Sequence, residues 1–155
     1  MTIKLHEMLG LAEAPANGFA WHDQILEGLP ARAMRTLASC LGITRRQLIA
    51  IAMPNTPFQL KMKLSPEVSN YLYRIALAVR QGMPAVQNDM WRAAQWLRKP
   101  NADLKGRVPL LLLQSHTGAE FVFTAIARTK PELAGYSGAA KVEDAPEPDE
   151  DVAEL

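Results

Sequence analysis

An all-α fold is predicted by three features of the 155-residue sequence. Apolar residues recur at three- and four-residue spacing in one segment after another. Most of these segments are bracketed by cap residues or by Gly and Pro stops, and no segment reads as a strand. The chain is 48% apolar and 21% charged, a balance that supports a buried core. Its length fits one domain, or two small ones.

Residues 1–20 read as a flexible lead-in, because LAEAPANGFA over 11–20 mixes Ala, Pro, Asn and Gly without helical periodicity. Ordered structure is expected from a helix near Trp21. Gly28 and Pro30 mark a boundary, after which Ala33, Met34, Leu37, Ala38 and Leu41 share one face. Gly42 stops that helix. Thr44 caps the next, where Leu48, Ile49 and Ala52 recur at helical spacing and Arg45 and Arg46 stand opposite. Two short helices around a Gly turn open a helix-turn-helix unit, and its recognition helix is assigned to Asn55–Lys63. There Asn55 or Thr56 would cap, Pro57 would open the first turn, and Phe58 and Met62 would face inward.

The next helix is the clearest. Ser65 caps it, Pro66 opens it, and Val68, Leu72, Ile75, Ala76 and Val79 form its stripe before Gly82. A further helix is expected over Ala85–Arg98, with Met90, Ala94 and Leu97 on one side, Trp91 and Trp96 flanking, and Pro100-Asn101 as its stop. Pro109 opens a short apolar helix. The last runs over Thr117–Arg128, with Phe121, Val122, Ala125 and Ile126 expected inward. Past Pro131 the composition shifts to Gly, Ala, Pro, Glu and Asp, and 137–155 is expected to be disordered when unbound.

The net charge of +1 conceals an asymmetry. Residues 1–130 hold sixteen Lys and Arg against eight Asp and Glu, and residues 131–155 hold one against eight. A basic body suits phosphate or an acidic protein surface, and charge alone does not choose between them. No apolar run approaches the ~20 residues of a membrane span, and Met1–Gly10 lacks a secretory apolar stretch, so a cytoplasmic location is expected. His6, His22 and His116 have no ligand partners at metal spacing, and Cys40 lies in an apolar helical pattern, read as packing. No phosphate-binding G-x-x-x-x-G-K-[ST] loop, G-x-S-x-G elbow or G-x-G-x-x-G turn is present. No enzyme activity, metal or cofactor is expected.

Three segments bear a family resemblance. They are Leu41-Gly42-Ile43-Thr44-Arg45-Arg46-Gln47-Leu48, then Lys63-Leu64-Ser65-Pro66-Glu67, and then Trp96 through Leu110, continuing to Leu112-Leu113 and Gly118. The third fits W-L-x-x-P-N-x-x-L-x-G-x-x-P, which joins a Pro-Asn helix stop, a turn Gly and a second helix-opening Pro at fixed separations. Over about residues 28–130 the chain thus resembles the Xre/MbcA/ParS antitoxins, which join an Xre-like helix-turn-helix to a toxin-binding domain.

The resemblance implies neutralisation of a co-expressed toxin, most often a RES-domain protein that destroys NAD, by covering its active-site entrance. It also implies operator binding and autorepression, and a homodimer is expected on a symmetric operator. The corresponding divisions are a lead-in at 1–20, an Xre-like helix-turn-helix domain at 21–82, a toxin-binding helical domain at 83–133 and an acidic tail at 134–155.

Candidate DNA contacts are Arg45, Arg46, Asn55, Thr56, Gln59, Lys61 and Lys63. Asn55 and Gln59 are of types that read base edges, and Thr56 and the cations suit phosphate. A solvated face is the alternative reading of the four cations. Family members often carry more Arg and Lys around the recognition segment than this chain does. Candidate toxin-binding residues are Trp96, Leu97, Asn101, Leu104, Gly106, Pro109 and Leu112. Of these, Trp96 and Leu97 also read as internal packing, and Asn101 and Gly106 as turn formers. The acidic tail could cover the basic body, dock on a basic toxin cleft or simply remain solvated. A plain dimeric helix-turn-helix regulator without a toxin partner is the competing reading of the whole chain.

Overall fold

The structure, a computed structural model, describes residues 3–129. The expected disordered acidic tail lies outside them. Eight α-helices make up the ordered body, with no strand among the described residues: α1 Leu5–Met8, α2 Gly18–Glu27, α3 Arg32–Leu41, α4 Arg45–Ala52, α5 Pro66–Gly82, α6 Met90–Arg98, α7 Pro109–Leu112 and α8 His116–Thr129. The chain divides into two compact units, 1–77 and 78–155, with the boundary inside α5.

In the first unit the stripe read from sequence is the core. Ala33, Met34, Leu37, Ala38 and Leu41 of α3 are fully buried or nearly so, with Leu48 from α4 and Leu72, Ile75 and Ala76 from α5. Gly42 closes α3 in the left-handed region at φ 72°, and its N–H bonds back to the α3 carbonyls. Thr44 and Gln47 then form a reciprocal capping box at the start of α4, with bonds of 3.0 and 2.9 Å. The Ser65 hydroxyl accepts from the Val68 N–H at 3.2 Å, as the cap assignment requires. Burial pushes the Cys40 thiol above its ordinary pKa, in keeping with a packing role.

Two expectations change here. Part of the presumed lead-in is structured: Leu5, Met8 and Leu9 are buried, and α1 packs on α3. The presumed recognition helix over Asn55–Lys63 does not form. Residues 54–64 instead make turns and an extended strap that ends in an antiparallel bridge between Lys63 and Pro30. The Ala31 N–H bonds to the Met62 carbonyl at 3.2 Å, and the Leu64 N–H to the Leu29 carbonyl at 2.9 Å. Backbone groups that a helix would have used internally are thereby committed to the loop before α3. Pro57 adds to this by steering Thr56 away from helical angles.

The second unit is built around Ala93, Ala94, Trp96 and Leu97 of α6, Leu110 and Leu113 at α7, and Ala119, Val122, Ala125 and Ile126 of α8. The single helix expected over Ala85–Arg98 is interrupted. A 3-10 turn over Met83–Val86 is followed by Gln87 and Asn88, both at positive φ, after which Asp89 caps α6 by accepting from the Trp91 and Arg92 N–H groups. Phe121, expected inward, is 60% exposed. Its neighbours Val122, Ala125 and Ile126 fill the buried face of α8 without it.

Candidate functional site

Helices α3 and α4 are joined by the short turn Gly42–Thr44, so in a helix-turn-helix reading the second helix would be α4 and not the strap. Arg45 and Arg46 occupy its first turn and are exposed. Together with Arg35, Ser39, Ile43 and Thr44 they line a shallow surface depression, which brings three guanidinium groups to one face. Cations at a helix N-terminus oppose the macrodipole, and the positive end of α4 adds to their potential instead of cancelling it. An anion seated there would meet both. Arg45 also lies over the Phe58 ring at 5.5 Å, which limits how far its side chain can swing.

The other candidate DNA contacts sit on the strap. Asn55, Thr56, Gln59, Lys61 and Lys63 are all exposed, but no helix arrays them along a single face. Lys63 is engaged by Glu27 at 2.6 Å, and this contact holds the Glu27 carboxyl below the usual glutamate range. Arg35 was not among the sequence candidates. Its signal was present in the outward face of α3, which becomes relevant only once α4 is placed beside it.

In the second unit the long motif is explained mainly by chain geometry. The Asn101 side chain accepts from the Asp103 N–H at 2.8 Å and caps a 3-10 turn over Ala102–Leu104. Lys105 and Gly106 follow at φ 59° and 78°, and the Asn101 N–H bonds to the Arg107 carbonyl at 3.0 Å, closing the loop on itself. Leu97, Leu104 and Pro109 are buried, Trp96 is 8% exposed, Leu112 is half-buried and Gly106 is exposed. At Gly118 any Cβ would collide with the Leu112 carbonyl oxygen, so α7 and α8 approach at a point only glycine permits. Most motif residues therefore face the core of the unit. Its exposed large apolar side chains are Trp91, Leu111 and Phe121, none of which was among the sequence candidates. Among the described residues no cluster of His, Cys, Asp and Glu could hold a metal ion, and no helix is long and apolar enough to cross a membrane.

Residues 85–130 match the antitoxin Xre/MbcA/ParS C-terminal toxin-binding domain. No curated protein matches the chain.

Proposed function

Because residues 85–130 belong to the Xre/MbcA/ParS toxin-binding family and make the chain an antitoxin of that type, we propose that it neutralises a RES-type, NAD-degrading toxin by covering the entrance to the active site. The same reading makes the chain a cytoplasmic, non-enzymatic repressor of its own operon, acting as a homodimer on operator DNA. The family match at 85–130 is the observation that carries the toxin half of this function.

The DNA half is supported by the α3–turn–α4 pair and by the exposed Arg35, Arg45 and Arg46. In helix-turn-helix proteins the second helix enters the major groove with its N-terminal residues leading, and on α4 those residues are Arg45 and Arg46. Arg35 and the first turn of α4 would take phosphates. The strap residues Asn55, Thr56, Gln59 and Lys61 would then be peripheral contacts, and Lys63 would first have to leave Glu27.

Co-expression with the product of the adjacent gene tests this function. Expression of the neighbour alone should arrest growth and deplete NAD. With this chain present, growth should be restored and the two proteins should co-purify. A harmless neighbour that forms no complex would overturn the antitoxin reading and leave a plain helix-turn-helix regulator.

A further inference from the structure

The family match assigns residues 85–130 a class of partner but not a contact surface, and the motif that marks the segment is largely internal. On the outward side of α6, Trp91 is 56% exposed. Two turns further on, Arg98 reaches back along the helix, as side chains lean toward the N-terminus, and its Cζ lies 5.3 Å from the Trp91 ring centroid. Trp and Arg are the residue types most enriched at the energetic centres of protein interfaces.

The electrostatics of these residues are uneven. Arg92 is committed to Asp89, with Nε 3.6 Å from Oδ2. Among the described residues no carboxylate pairs with Arg98, and its Nε is buried without a hydrogen-bond acceptor. Buried N–H groups almost always find acceptors, so an unpaired one burdens the free protein until an acceptor arrives. The surroundings favour an anionic one. Residues 78–129 carry seven Lys and Arg against three Asp and Glu, and Lys99, Lys105 and Arg107 are all exposed. Leu111 and Phe121 are exposed as well, but neither offers a polar group that would fix a partner's orientation.

We propose that Trp91 and Arg98 are the anchor of the toxin interface: the indole covers an apolar patch of the toxin, and the guanidinium pairs with a carboxylate beside that patch. This rests on the toxin-binding reading above. Docking brings an acceptor to the N–H for which no described residue supplies one.

The test is titration of the purified adjacent-gene product with the full-length chain and with Trp91→Ala, Arg98→Ala and Arg98→Lys, each checked by circular dichroism and thermal melting. Trp91→Ala and Arg98→Ala should each weaken binding by at least about tenfold, the mark of an interface anchor. Arg98→Lys should fall between them and the wild type, because an ammonium keeps the charge but loses the planar fork. Added sodium chloride should weaken the wild-type complex more than the Arg98→Ala complex. If Arg98→Ala fails to fold, Trp91→Ala, an exposed truncation, carries the test. Wild-type binding with folded variants of unchanged affinity overturns this inference and leaves the antitoxin function standing. Wild type that does not bind overturns both. A homodimer that Trp91→Ala dissociates, with toxin affinity unchanged, would assign the surface to a second copy of the chain and overturn the inference.

Discussion

Ser69 is fully buried in the described core, and it ties two elements of the first unit together. Its hydroxyl accepts from the Leu29 N–H at 2.8 Å and donates to the Leu64 carbonyl at 3.4 Å, joining the loop before α3 to the start of α5. Ser69→Ala leaves the Leu29 N–H buried and unpaired, so unfolding in urea should show a loss of about 1–3 kcal/mol. Gly28 lies beside this contact at φ 105°, where any Cβ would strike the Leu64 carbonyl oxygen. In sequence Gly28 reads only as a boundary. That Gly28 is also the point where the strap crosses the loop is visible only with residue 64 beside it.

Among the elements, α4 and the strap divide the cationic residues differently from the sequence reading. Arg45 and Arg46 stand on a helix that is fixed at its first turn by the Thr44–Gln47 capping box, whereas Lys61 and Lys63 stand on irregular backbone. A DNA-binding assay should therefore rank the substitutions. Arg45→Ala and Arg46→Ala should each weaken operator affinity and lower the salt slope by about one unit, as loss of a phosphate contact does. Lys63→Ala should change it less, because Glu27 already holds that charge. Equal losses at all three positions would return the strap to the centre of the DNA site. The strap's conformation was partly legible beforehand. Phe58, Leu60, Met62 and Leu64 alternate with Gln59, Lys61 and Lys63, a period of two that suits extended chain better than the single i, i+4 pair that suggested a helix. The bridge to Pro30 decided the outcome, and its partner lies more than thirty residues away.

At the scale of the molecule the dominant feature is charge. The described body carries its excess of Lys and Arg in both units, and residues 131–155 hold eight Asp and Glu against one Lys. This acidic segment is expected to compete with phosphate for the basic surface. Removing residues 137–155 should raise operator affinity at low salt, and the gain should shrink as salt screens the competition. Unchanged affinity at low salt would reduce the tail to a solvated extension.

Legible in the sequence were the helical class, the α3 and α5 stripes, the α8 stripe apart from Phe121, the caps at Thr44 and Ser65, and the motif within the 85–130 family match. All of these rest on interactions within a few residues, or on spacings that one loop enforces, so local pattern is enough to state them. Tertiary structure decided the rest. It placed Leu97, Leu104 and Pro109 inside the unit they identify, left Trp91 and Phe121 in water and turned residues 54–64 into a strap in place of a helix. Each of these outcomes depends on which distant backbone or side chain fills the neighbouring space, and hydrophobicity or propensity at a single position does not contain that information.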